Sequence, residues 1–199
     1  MNPLIVVLGL SDSGKDTFAD VALTKGYQEV FKWVGGVKRA IEHLYYLPLN
    51  ALEEDVYRHQ LVPGKDYTYL NLLVMLYKEN VTTKPLALSM FKDAAKWQLR
   101  VKLMAGKSII ITDTRQPEEL EFINTLAKEF PVAFVRITGR GVERESDVSL
   151  SSNVCSIDRE QASYWTIQNK HDVGSFRQKC AMMVSAIGRY HAGLRERAS

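Results

Sequence analysis

Five consecutive apolar residues, Leu4-Ile5-Val6-Val7-Leu8, run straight into Gly9-Leu10-Ser11-Asp12-Ser13-Gly14-Lys15-Asp16-Thr17. Few protein architectures accept that junction. A short unbroken apolar run suits a strand that is covered on both faces. The glycines that follow, spaced G-x-x-x-x-G-K, let the backbone curl until successive N–H groups point at one anion. Phe18, Val21 and Ala22 then recur at helical spacing, so a helix starts near Gly14 and turns its positive end on the same point. Strand, anion-binding loop and helix in that order commit the chain to an α/β fold whose ligand carries phosphate.

The rest of the chain keeps the alternation. Strands are expected at residues 27–33, 107–112, Val132–Thr138 and 164–168, and helices at 37–46, 69–77, 91–104, from Pro117 onward, and over the closing stretch through Phe176, Cys180, Val184 and Ile187. Alternating strands and helices imply a mainly parallel five-stranded sheet with helices on both faces, in three layers. No repeat or linker divides the chain, so one domain of 199 residues is expected. Residues 50–88 fit no clear period, with Pro63-Gly64 as a turn and Pro85 as a break. They read as part of a helical insertion at about 36–105, lying over the carboxyl edge of the sheet where ligands of open α/β sheets bind. Over residues 91–104, Phe91, Ala94, Ala95, Trp97, Val101 and Met104 form much of an apolar stripe.

Composition excludes several classes of function. The net charge is +3, with 26 basic residues interspersed among 23 acidic ones and no basic run, so the electrostatic footprint of a nucleic-acid binder is missing. Cys155 and Cys180 form no CxxC pair and have no histidine at zinc-ligand spacing, which fits reduced thiols in a cytoplasmic protein. His43, His59, His171 and His191 show no metal-binding spacing, and none is assigned to catalysis. The first apolar run is too short for a signal peptide or a membrane span, so no membrane partner is expected.

Gly9, Ser11, Asp12, Ser13, Gly14, Lys15, Asp16 and Thr17 are the candidate nucleotide-binding residues, and Lys15 is the cation for the β and γ phosphates of ATP. Asp16 departs from the usual pattern, where Ser or Thr follows the lysine and holds magnesium. It holds Mg2+ directly or through water, orients the acceptor phosphate, or simply favours the helix end as an acid in the first turn. Thr17 and Asp113 complete the candidate metal ligands, Asp113 because it ends a strand beside the loop. Arg136, Arg140 and Arg144, spaced by four around Gly139 and Gly141, suit a lid at about 139–155 that closes over ATP. The alternative is a solvated loop whose arginines pair with Glu143, Glu145 and Asp147. Arg115, at a strand end, is aimed into the cleft. Arg39 and Arg100 are candidates for an acceptor phosphate or belong to solvated helix faces, and the aromatics Trp33, Tyr45, Tyr46, Tyr67, Tyr69 and Trp97 include candidates to stack on an acceptor base, most of them reading as core or interface.

Two stretches carry a family likeness. Asp113-Thr114-Arg115-Gln116-Pro117-Glu118-Glu119 resembles the D-x-R-x-P-x-E stretch of the bacteriophage deoxynucleoside monophosphate kinases, and Gly14-Lys15-Asp16-Thr17 resembles their GKDT loop. The likeness continues through residues 31–46 with Leu47-Pro48, through 70–76 and Lys96-Trp97, and through Ile167-Gln168-Asn169, covering roughly residues 3–185. Gly35-Gly36 departs from it, standing where the family has an Asp-Pro-like pair. The resemblance implies a P-loop NTPase fold of nucleoside monophosphate kinase type, ATP and Mg2+ as cofactors, and phosphorylation of deoxynucleoside monophosphates. It also implies Lys38 near the acceptor, a homodimer, and a host cytoplasmic location for a phage-encoded chain. Two rivals are a P-loop kinase of another phosphorylated metabolite and a non-catalytic ATP-binding module.

Overall fold

β1 (Leu4–Leu8) is buried at every residue, which a strand achieves only with neighbours on both sides and cover on both faces. The computed structural model describes residues 2–78, 85–139, 162–170 and 172–198. Around β1 stand β2 (Glu29–Phe31), β3 (Ile109–Ile111), β4 (Val132–Thr138) and β5 (Ser163–Gln168). All pair in parallel, in the order β2-β3-β1-β4-β5. The helices are α1 (Lys15–Thr24), α2 (Gly35–Leu44), α3 (Asp55–Arg58), α4 (Tyr69–Lys78), α5 (Pro85–Met104), α6 (Pro117–Ala127) and α7 (Val173–Ala198), with a 3-10 turn at Ala51–Glu53.

The strand order decides where the helices go. β1 to β2 steps one way across the sheet and β3 to β4 steps the other, so right-handed crossovers put α1 and α6 on opposite faces. Ile5, Val7, Ala133, Val135 and Ile137 turn to the α1 side, where Phe18 and Ala22 of α1 pack with Phe176, Cys180, Val184 and Ile187 of α7. Leu4, Val6, Leu8 and Phe134, the alternate residues, are equally buried, as are Leu120, Ile123 and Leu126 of α6. These are the three layers. Cys180 lies in the first of the two cores, and burial pushes its thiol up to about 12. The Tyr27 hydroxyl donates to the Pro3 carbonyl at 3.0 Å, pinning the approach to β1.

The chain divides into two compact units, Met1–Lys32 with Leu99–Ser199, and Trp33–Gln98. The first contains the sheet. The second overlaps the insertion expected at about 36–105 and has its own core of Val37, Ile41, Leu52, Val62, Tyr69 and Leu73. Glu42, buried in that unit, accepts the Leu52 N–H at 3.0 Å and so anchors the 3-10 turn to α2.

Two local expectations are corrected. Pro85 does not break the chain but opens α5, because a first-turn residue needs no N–H and proline's fixed φ suits a helix start. Among the described side chains of α5, Ala95, Leu99 and Leu103 are buried, whereas Trp97, Val101 and Met104 are exposed. The two sets follow the same helical period on different faces, so periodicity alone does not choose between them. Among the described residues, no helix is long and apolar enough to cross a membrane.

Candidate active site

The loop after β1 is held by features that only part of its sequence announces. Asp12 and Gly14 have positive φ, 60° and 105°. The turn is closed by the Ser13 N–H on the Leu10 carbonyl at 3.2 Å, and α1 begins with the Phe18 N–H on the Gly14 carbonyl at 3.0 Å. A side chain at Gly14 has no room: a Cβ there would stand 2.7 Å from Cε1 of Phe176 and 2.9 Å from Nδ2 of Asn169. Phe176 reaches this spot because Asp172 caps α7, accepting from the N–H groups of Gly174 at 3.2 Å and Ser175 at 3.0 Å. Such a cap both starts the helix and fixes its entry angle.

Lys15 folds back over the loop. Its Nζ donates to the carbonyls of Gly9 at 2.8 Å and Leu10 at 2.5 Å, so the ammonium is held at the loop before any ligand arrives. Ser13 is wholly buried, and its Oγ has no hydrogen-bond partner among the described residues. A hollow of about 260 Å³ opens here, lined by Asp12, Gly14, Lys15, Asp16, Thr17, Asn169, Val173 and Phe176. Its lining combines loop backbone, the Lys15 cation, the carboxylates of Asp12 and Asp16, and the apolar side chains of Val173 and Phe176. Asn169, Val173 and Phe176 were not among the candidate site residues, although Asn169 lies in the family-like stretch and Phe176 in the expected closing helix. The signal that could have found them is the Asn169-to-Ser175 stretch, a polar residue ending a strand before a capped helix.

Asp113 and Arg115 come to the same sheet edge. Val6 pairs with Ile111, and two more steps of that register bring Asp113 level with Leu8, the residue before the loop. Both carboxylate oxygens of Asp113 are buried. Arg115 is half-buried, and its backbone is tied down by Glu119, whose Oε2 accepts the N–H groups of Arg115 at 2.7 Å and Gln116 at 3.0 Å. Glu119 is itself only 3% exposed. Glu119→Ala therefore strands two N–H groups and should cost about 1–2 kcal/mol in chemical denaturation. An unchanged denaturation midpoint would show that the tie is unimportant.

Of the other expected residues, Asp16 also lines the hollow. Asp16 is well exposed in the first turn of α1, with Lys32 Nζ 3.9 Å from its Oδ1. Arg136 is exposed on β4, on the sheet face opposite α1 and α7, since its neighbours Val135 and Ile137 face those helices. Arg100 grips both oxygens of Glu129, at 2.9 and 2.7 Å. Glu129 precedes β4, at the opposite edge of the parallel sheet from the loop, so Arg100 is not carried into the proposed site. Lys38 pairs with Glu53 at 2.9 Å within the second unit, where Arg39 and Trp97 are exposed. Arg140, Arg144 and Cys155, with all of the expected lid beyond Gly139, lie outside the described residues.

A parallel sheet in the order β2-β3-β1-β4-β5, with a G-x-x-x-x-G-K loop between β1 and α1, decides the architecture. The chain has a three-layer α/β P-loop NTPase fold. No protein family and no curated protein matches the sequence. Among solved structures, it is similar to a dephospho-CoA kinase from Campylobacter jejuni, at 12% identity over 96% of this chain and 100% of that one, with a TM-score of 0.46. A gluconokinase from Sinorhizobium meliloti gives 13% identity over 96% and 97% of the two chains and a TM-score of 0.49. A sugar kinase from Janibacter gives 14% identity over 94% and 99% and a TM-score of 0.48. The fold assignment rests on the strand order and the loop themselves.

Proposed function

We propose that the chain is a kinase that transfers the γ-phosphoryl group of ATP to the phosphate of a deoxynucleoside 5′-monophosphate. The observation that carries the reading is the meeting of two adjacent strand ends. The pinned loop with Lys15 follows β1, and Asp113-Thr114-Arg115 follows β3, the strand paired in parallel beside β1. A nucleotide-binding module needs the first alone, and a transferase needs both.

An oxygen of the acceptor phosphate attacks the γ phosphorus, the bond from that phosphorus to the β–γ bridging oxygen breaks, and ADP leaves. A phosphate dianion is already a nucleophile, so no general base is required and catalysis is positioning with charge stabilisation. The loop N–H groups hold the phosphates. Lys15 exchanges the carbonyls of Gly9 and Leu10 for β and γ oxygens as charge spreads over the transferring group. Arg115 supplies a second cation at the neighbouring strand end, kept in place by Glu119.

Asp16, Thr17 and Asp113 would hold magnesium in this reading. Among the described residues no group of three or more acids, histidines or cysteines forms a metal site, and a magnesium ion carried by phosphate oxygens needs only one or two protein oxygens. The oxygen-only donor set at the two strand ends therefore fits it. When bound, the ion would neutralise phosphate charge as the γ-phosphoryl group is transferred.

The test is a coupled assay of ADP release with each deoxynucleoside and ribonucleoside monophosphate in turn. ADP formation that depends on a deoxynucleoside monophosphate supports the reading. Release with a different phosphorylated metabolite alone would replace the acceptor, and ATP binding without acceptor-dependent release would leave only a binding module.

A further inference from the structure

Asn169 is the first residue after β5, and it reaches across the chain to the phosphate loop. Its backbone N–H donates to the Thr138 carbonyl at 2.9 Å, which fixes it beside the end of β4. Its side chain, 4% exposed, donates from Nδ2 to the Ser13 carbonyl at 2.8 Å. A carbonyl can only accept, so the amide nitrogen and not the oxygen must face the loop. The same nitrogen closes off Gly14, where a Cβ would come within 2.9 Å of it.

The Ser13–Gly14 peptide is planar and trans, so its C=O and N–H point in opposite directions. Holding the Ser13 carbonyl toward Asn169 turns the Gly14 N–H away from Asn169 and across the loop. That is the direction in which a loop N–H meets a bound phosphate. We infer that Asn169 is a positioning residue for the donor nucleotide: by gripping the Ser13 carbonyl it aims the Gly14 N–H at phosphate and sets the affinity for the diphosphate part of ATP or ADP. Phe176 closes in beside Asn169 on the same face of Gly14, its Cε1 2.7 Å from where a Cβ would stand. The inference rests on the reading of the loop as a nucleotide-phosphate grip, and does not depend on the identity of the acceptor.

The informative substitution is Asn169→Asp, which is isosteric but sets an acceptor oxygen against the Ser13 carbonyl. Its neutral form carries one O–H donor and can restore the bond. ADP binding is measured by calorimetry for wild type and variant from about pH 8 to about pH 5, a window that reaches toward the ordinary carboxyl range. The ratio of the two dissociation constants cancels the titration of ADP itself and of Asp12, Lys15 and Asp16, which line the same hollow in both proteins. The expected result is a weakening of about tenfold or more at pH 8, shrinking as pH falls, because a buried donor has been replaced by a repelling acceptor. Asn169→Ala, which removes the donor without repulsion, should weaken ADP by a smaller factor that does not vary with pH. Deoxynucleoside monophosphate affinity should stay within about twofold of wild type in both variants.

ADP affinity equal to wild type in either folded variant overturns the inference. So does a loss that is flat with pH in Asn169→Asp and shared equally by ADP and the monophosphate, since that pattern describes general loosening. If Asn169→Asp does not fold, Asn169→Ala decides by its selectivity for ADP over the monophosphate. Wild-type protein that binds ADP without turning over any monophosphate removes the proposed acceptor and leaves the role of Asn169 standing. Wild-type protein that does not bind ADP removes both.

Discussion

Lys15→Met should lower turnover on the order of 100-fold or more, with the protein still folded. The lysine makes its two observed hydrogen bonds to the carbonyls of Gly9 and Leu10, and neither bond belongs to the hydrophobic cores. Methionine preserves most of the side chain's length and apolar bulk, so the substitution removes the charge and little else. That charge matters most when negative charge spreads over the transferring group, so kcat should fall further than ADP affinity. Steady-state kinetics with a thermal melt in parallel give both readouts. Near-normal turnover in a folded Lys15→Met protein would remove Lys15 from the chemistry and with it the mechanism proposed above.

Gly14→Ala should damage both stability and nucleotide binding. The residue sits at φ 105°, with Phe176 Cε1 2.7 Å and Asn169 Nδ2 2.9 Å from where the methyl would stand. Backbone strain and overpacking each cost about 1–3 kcal/mol, and both act here. Neither neighbour can yield easily, because Asn169 is bonded to Ser13 and Thr138 and Phe176 is 3% exposed in the α1–α7 core. Stability should fall by about 3 kcal/mol and ADP affinity on the order of 100-fold, since the loop must open to admit the methyl. Gly188→Ala is the control. No atom lies within 4 Å of its added Cβ, it is inside α7, and alanine there should stabilise by about 0.5–1 kcal/mol. Equal effects in denaturation from the two substitutions would contradict the packing described around the loop.

Local chemistry was legible wherever neighbours in sequence determine it. Pro117 opens α6 and the apolar run at Val132 opens β4, at the residues expected, because a first-turn proline and a buried strand each declare themselves. The loop itself follows from its glycine spacing. Less was legible where partners are distant. Nothing near Arg100 points to Glu129, and nothing near Lys38 selects Glu53, so the sequence could nominate both cations for a phosphate while the fold gives each a carboxylate. The face of α5 was ambiguous for a related reason: Trp97, Val101 and Met104 follow the helical period as well as Ala95, Leu99 and Leu103 do, and only packing separates them. Asn169 lies 156 residues from Ser13, and a bond of that span becomes visible only when β5 is placed two strands from β1.

The central claim is transfer between two phosphates at the edge formed by β1 and β3, and the identity of the product tests it most directly. ATP labelled at the γ phosphate is incubated with the protein and the monophosphate that gives the fastest ADP release, and the labelled products are separated. The label should appear in the deoxynucleoside diphosphate, one for each ADP formed, and Lys15→Met should abolish its appearance. Label recovered only as inorganic phosphate, at a rate indifferent to the monophosphate, would contradict it.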